Sequence, residues 1–131
     1  MNTHFQTVKD YLQELDFTVV QEDENEGVIV VENEEEGITN VVLIISDPIV
    51  IVEQYLFDIP TNSGDIYKKL LAKNRDIIHG AFALDETGNR VLFRNTHECE
   101  NLDLNELEAT LNSLSLLLSE YADELIGFSK Q

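Results

Sequence analysis

His97 and Cys99 stand two residues apart in the run NTHECEN, a spacing that on a strand turns both side chains to one face. They are the nearest this sequence comes to a nucleophile with its base. Their neighbours argue against activation, because Glu98 and Glu100 flank the thiol with negative charge, which raises a thiol pKa and withholds the thiolate that attacks. A covalent catalyst also needs an oriented base and donors for an oxyanion, and neither can be read in the chain. No catalytic residue is assigned, and the chain is expected not to be an enzyme.

Metal chemistry has little more to stand on. Asp23, Asn25 and Gly27 offer alternating oxygen ligands, yet the segment lacks the downstream spacing of a calcium-binding hand, with its glycine at the sixth position and glutamate at the twelfth. His4, His79 and His97 are scattered singly, so a zinc site would have to be assembled by the tertiary fold. Neither a metal nor any cofactor is expected.

Charge sorts the remaining partners. With 26 acidic and 8 basic residues the formal net charge is -18, a field that repels polyanions, so nucleic acid and anionic membrane surfaces are not expected as ligands. The charge is also uneven. Between Lys9 and Lys68 there is no Lys or Arg, while that interval holds Glu22, Asp23, Glu24 and Glu26, then Glu32, Glu34, Glu35 and Glu36. These residues either keep apolar strands soluble and unpaired at their edges or form an acidic surface for a basic partner.

The elements that position these residues follow from periodicity. In 131 residues with 43% hydrophobic content, one domain can bury roughly two-thirds of its unfolded surface. No apolar run approaches the roughly 20 residues that span a bilayer, and the start MNTHFQTVKD has no secretory pattern. Cys99 is the lone cysteine, which fits a reducing compartment, so a soluble cytoplasmic protein is expected.

Phe5, Val8, Leu12 and Leu15 recur at helical spacing behind a Thr3/Gln6 capping pair, predicting a helix from Thr3 to Leu15. Val-, Ile- and aromatic-rich runs follow at Phe17 to Glu22, Gly27 to Glu32, Thr39 to Ser46 and Ile49 to Ile59, separated by turn residues. They read as an antiparallel meander, the first as an edge or irregular strand. Val41 to Ile45 and Ile49 to Val52 are apolar on both alternating faces, so each face must be covered, by helices or by a second subunit.

A second helix is expected after Thr61, Asn62, Ser63 and Gly64, carrying Ile66, Tyr67, Leu70, Leu71, Ile77 and Ile78 on a broad face and stopped by Gly80 in a left-handed conformation. Asn74 falls within that stripe and must find hydrogen bonds there, so it is read as fastening the helix to nearby backbone. Ala81 to Leu84 and Arg90 to Thr96 form a hairpin around Asp85, Glu86, Thr87, Gly88 and Asn89. A last helix opens on an Asp103/Glu106 capping box and repeats Leu104, Leu107, Leu111, Leu114, Leu118, Tyr121 and Leu125 in steps of three and four.

The predicted class is thus α+β, an antiparallel sheet with helices on one side, in the order α-β-β-β(-β)-α-β-β-α. That order, with Leu70, Leu71 and Asn74 followed by Gly80, Ala81, Phe82, Ala83, Leu84, Asp85 and Gly88 and continuing through NTHECENLDLNELEATLNSLSLL, resembles the YbjN family. This family is similar in turn to the type III secretion chaperones, including the Tir chaperone group. The resemblance implies a small, acidic, cytoplasmic homodimer without nucleotide-dependent activity, holding an extended segment of a partner protein across apolar surface on the sheet and helices.

On this reading the partner-contacting residues are Val41, Leu43, Ile45, Ile49 and Ile51 on the strands, with Leu114 and Leu118 on the final helix. Asn74 and Gly80 are structural. An acidic antagonist, either an immunity protein or a nucleic-acid mimic that blocks a basic protein through Glu22 to Glu36, is the alternative.

Overall fold

The computed structural model describes residues 3–61 and 64–130. The chain runs α1 (Thr3–Glu14), β1 (Thr18–Asp23), β2 (Val28–Asn33), β3 (Ile38–Ser46), β4 (Ile49–Asp58), α2 (Ile66–Asn74), β5 (Ala81–Leu84), β6 (Arg90–Glu98), α3 (Leu104–Glu120) and α4 (Ala122–Ser129). Single 3-10 turns sit at Glu34–Glu36 and Cys99–Asn101.

Short turns join β1 to β4, so these strands pair in sequence order as an antiparallel meander. The longer connection through α2 carries the chain past the next place in the sheet, which β6 then fills. The result is six antiparallel strands in the order β1-β2-β3-β4-β6-β5. The run at Phe17 to Glu22 does form the fourth strand ahead of α2. It is β1, an edge strand whose register shifts between Val19 and Gln21.

All four helices bury their apolar stripes against one face of this sheet. Phe5, Val8 and Leu12 of α1, Ile66 and Leu70 of α2, Leu107, Leu111, Leu114 and Leu117 of α3, and Leu125 and Phe128 of α4 share one core. The strands meet them with Ile29, Val31, Val41, Leu43, Ile45, Val50, Val52, Phe57, Phe82, Val91 and Phe93. Each such side chain, fully buried, contributes about 1.5–3 kcal/mol.

Local chemistry sets the helix ends. At the end of α1, the Phe17 N–H donates to Leu12 O (2.9 Å) and the Asp16 N–H to Gln13 O (3.1 Å), with Asp16 left-handed at φ 68. This is the Schellman pattern, and buried Phe17 and Leu12 supply its apolar contact. The Asp103 carboxylate accepts from the Glu106 N–H (2.8 Å) and opens α3 as the capping box predicts. The Thr3 half of the other predicted box lies outside the described side chains. Gln6 Nε2 donates to the Asp10 carboxylate (2.8 Å).

Two helical expectations are corrected. The second helix stops at Asn74, so Ile77 and Ile78 lie in the turns that follow, and Gly80 enters β5 rather than ending a helix. Of the residues expected to open it, Asn62 and Ser63 lie outside the described residues. The final helix is two helices, broken at Tyr121 (φ -108, ψ 10). The bend is held by side chains: Tyr121 packs on Phe82 and under the Lys73 ammonium, and Lys73 pairs with Glu124 at 2.8 Å. Phe128 then reaches Phe57 of β4, with ring centroids 6.1 Å apart.

Candidate functional site

The face of the sheet turned away from the helices is apolar at its centre. Register places Val28 of β2 beside Ile44 of β3, and Ile44 beside Ile51 of β4. One step along, Val30 lies beside Val42, and at the turn Ser46 lies beside Ile49. Val28, Val30, Val42, Ile44, Ile49 and Ile51 are all partly exposed, and none belongs to the core. Among the described residues no helix packs on them. Strand neighbours lie about 4.8 Å apart and same-face residues about 7 Å apart along a strand, so these six side chains form one continuous patch.

Charge borders the patch. Val42 is followed across the sheet by Glu53 and then Arg94, whose side chains pair at 3.5 Å. Glu32 lies on the same face of β2, and Glu98 is paired with Ile49 at the opposite margin. Tyr55, exposed, and Leu92 extend the apolar surface beyond Glu53.

The sequence-predicted contact residues divide by parity. Ile49 and Ile51 lie on the open face. Val41, Leu43 and Ile45 point the other way, at 0%, 0% and 2% exposure, and Leu114 is fully buried beneath α3. A partner cannot reach these four without opening the core, so the outward places on β3 belong to Val42 and Ile44. Leu118 is partly buried against the core.

The missed residues left a trace in the sequence. Glu53 and Tyr55 share the parity of Ile49 and Ile51, Glu32 that of Val28 and Val30, and Ser46 that of Val42 and Ile44, marking each row as outward. On β3 the trace is obscured by a bulge. Between Asn33↔Ile38 and Val31↔Val41 the register gains a residue, with Asn40 left-handed at φ 55, so Ile38 and Val41 both face the core although three positions apart.

The acidic clusters do not merge. Glu22 and Asp23 end β1 and Glu24 and Glu26 follow in the β1–β2 turn, whereas Glu34, Glu35 and Glu36 occupy the β2–β3 turn at the other end of β2, about 20 Å away for six residues of strand. Glu22 pairs with Lys9 at 2.9 Å, and Glu36 accepts from the Ser115 hydroxyl. The Asp23 carboxylate accepts from the Glu26 N–H (3.2 Å), closing its turn.

His97 and Cys99 engage different partners. His97 faces the core side of β6, with Nε2 2.8 Å from Thr110 Oγ1. Thr110 Oγ1 accepts from Asn95 Nδ2 (2.9 Å), lies 3.1 Å from Glu106 O and shares its hydrogen bond with His97 Nε2, which Asn95 Nδ2 also approaches at 3.3 Å. Burial pushes the His97 pKa down, opposed by the charge of Glu106 and assisted by that of His79. Cys99 sits buried in the turn after β6, where its N–H donates to Pro48 O (2.7 Å). Burial pushes the thiol pKa up, and the charges of Asp47 and Glu100 push it further, so this cysteine is not an activated nucleophile.

The architecture is that of the type III secretion chaperones. The chain is similar to a structure of the heterodimeric ExoU–SpcU complex from the type III secretion system of Pseudomonas aeruginosa, with TM-score 0.70 and 14% identity over 94% of this chain and 98% of that one. It is similar to the HopA1–SchA chaperone–effector complex (TM-score 0.62, 15% identity, 99% and 96% of the two chains). YbjN of E. coli matches at TM-score 0.68 and 11% identity over 91% of each chain.

Matching the CesT_Tir_1 family from residue 1 to residue 131, the chain belongs to that family, a group of non-enzymatic protein-binding chaperones. No curated relative matches it by sequence. Among the described residues, no helix is long and apolar enough to cross a membrane.

Proposed function

We propose that this protein holds a segment of a partner protein on the open face of its sheet, as a chaperone or adaptor. The observation that carries the reading is the patch of Val28, Val30, Val42, Ile44, Ile49 and Ile51, apolar, continuous and outside the core. An extended segment with apolar side chains at alternate positions fits a surface ruled at strand spacing, and basic residues flanking it would meet Glu32, Glu53 and Glu98. The protein acts in the cytoplasm on this reading, as one domain.

A homodimer belongs to the same proposal. Ile78, Leu71 and Leu116 are 88%, 71% and 64% exposed, large aliphatic side chains that lie away from the sheet patch. Their burial against a second copy would leave the open face to the partner.

The test is capture of partners from the host lysate at low salt, by the native protein and by Ile44→Asp and Ile51→Asp variants shown to be folded. Elution is with high salt, then denaturant. A discrete partner held until denaturant and lost in both variants supports the proposal. A basic protein released by salt and retained by both variants would instead support the acidic antagonist, acting through one of the separate acidic turns.

A further inference from the structure

Cys99, His4 and Asp47 come from three distant parts of the sequence and meet at one end of the sheet. His4 lies in the first turn of α1, Asp47 in the β3–β4 turn and Cys99 in the turn after β6. Their sulfur, imidazole nitrogen and carboxylate oxygen all lie within 4.8 Å of one another, and His4 Nε2 is 3.6 Å from Asp47 Oδ1. We propose that these three residues bind a zinc-class divalent ion.

The donor set selects the metal. A thiolate, an imidazole and a carboxylate suit zinc and cobalt, whereas calcium and magnesium require oxygen ligands throughout. Bonds of about 2.0–2.3 Å in a tetrahedron put neighbouring ligand atoms about 3.3–3.8 Å apart. The His4–Asp47 pair already has that spacing, and the thiol comes within range by a side-chain adjustment of about 1 Å. Water would complete the four-coordinate shell.

Three features prepare the site. The Cys99 N–H to Pro48 O bond (2.7 Å) ties the cysteine to the turn that carries Asp47, so two of the three ligands are already joined through backbone. Cys99 is buried at 6% exposure and Asp47 is open, which leaves the ion an entry path while shielding the sulfur. Glu98 and Glu100 and the net charge of -18 draw cations to this end of the molecule. On binding, the thiol S–H bond breaks, its proton passes to solvent and the sulfur electron pair goes to the metal. The ion would pin the start of α1 to two turns of the sheet.

The full chain, stripped of metal with a chelator under reducing conditions, is titrated with Co²⁺ and followed by absorption. The expected result is one ion per chain, a sulfur-to-cobalt charge-transfer band in the near ultraviolet, the intense visible bands of four-coordinate cobalt, and their bleaching by Zn²⁺. Cys99→Ser should abolish the charge-transfer band. His4→Ala and Asp47→Asn, both at accessible positions, should weaken binding by at least about tenfold, since even outer-shell changes cost a metal site that much. Absence of the bands overturns the proposal. So does cobalt bound with equal affinity by the folded His4→Ala and Asp47→Asn proteins, which would mark adventitious binding by surface carboxylates.

Discussion

Asn74 and Phe82 exchange two hydrogen bonds, the Asn74 amide Nδ2 donating to Phe82 O (3.1 Å) and the Phe82 N–H donating to Asn74 Oδ1 (2.7 Å). Phe82 lies on β5, the edge strand, and its inner side pairs with β6. One side-chain amide thus takes the place of a further strand at this point on the edge, satisfying both backbone groups and docking the last residue of α2.

Asn74→Leu should therefore lower stability by about 1–3 kcal/mol, the range for leaving buried polar groups without partners. Asn74→Asp keeps an acceptor for the Phe82 N–H and loses the donor to Phe82 O, so it should fall between the two. Urea denaturation of the three proteins checks the order. Partner capture by folded Asn74→Leu should match the native protein, and its selective loss would make Asn74 a contact residue.

Leu43 and Ile44 are neighbours in sequence with opposite assignments. Leu43→Ala should cost about 2–5 kcal/mol, as for a fully buried leucine, whereas Ile44→Ala should cost about 1 kcal/mol. Partner binding should rank them in reverse, Ile44→Ala weakening it and Leu43→Ala sparing it where the protein remains folded. Equal destabilisation by the two would place Ile44 in a covered interface, such as a second subunit across the sheet.

This pair also shows what the sequence could and could not tell. VVLII announced a strand apolar on both faces, and the meander, the β5–β6 hairpin and the capped start of α3 all followed from local signals. Which parity faced the helices was marked only by the polar residues at the ends of the rows, Glu32, Ser46 and Glu53, and on β3 the bulge at Asn40 broke the alternation, a feature of pairing between strands that composition along one strand does not encode. The same holds for the break at Tyr121. The leucine repeat continues smoothly through it, and only the tertiary contacts of Tyr121, Lys73 and Phe128 bend the chain. His4, Asp47 and Cys99 are separated by tens of residues, and no local pattern could have joined them.

His97 gives the fold a pH dependence of definite sign. Burial holds its pKa below the ordinary value near 6.5, so the folded state favours neutral imidazole. Its contribution is fully present above the unfolded-state pKa and is lost as pH falls through the folded one. The background runs the other way, because 26 acidic against 8 basic residues repel one another less as acid neutralises carboxylates. The prediction is therefore differential: between pH 7 and pH 5 the native protein should lose stability relative to His97→Gln. The charges facing the ring are those of Glu106 and His79, so Glu106→Gln should steepen the loss and His79→Gln should reduce it. Parallel melting curves for native protein and His97→Gln across that range would remove His97 from the account.

Gly80 and Asp16 both hold left-handed backbone, at φ 91 and φ 68, and replacing each should move stability in opposite directions. At Gly80 a Cβ would overlap the Phe93 ring, which is fully buried, so Gly80→Ala meets both the left-handed penalty of about 1–2 kcal/mol and a clash with a core side chain that cannot swing away. A loss of about 3 kcal/mol is expected. Asp16 already carries a Cβ in the position where helices ending in a Schellman motif favour glycine, and its side chain is exposed. Asp16→Gly should relieve that strain, partly offset by the greater freedom of glycine in the unfolded chain, for a net gain of up to about 1 kcal/mol. Chemical denaturation of both variants decides it. A gain at Asp16 together with a loss at Gly80 would tie the two effects to the side chain each position must accommodate, while a loss at Asp16 would show that its carboxylate stabilises the end of α1.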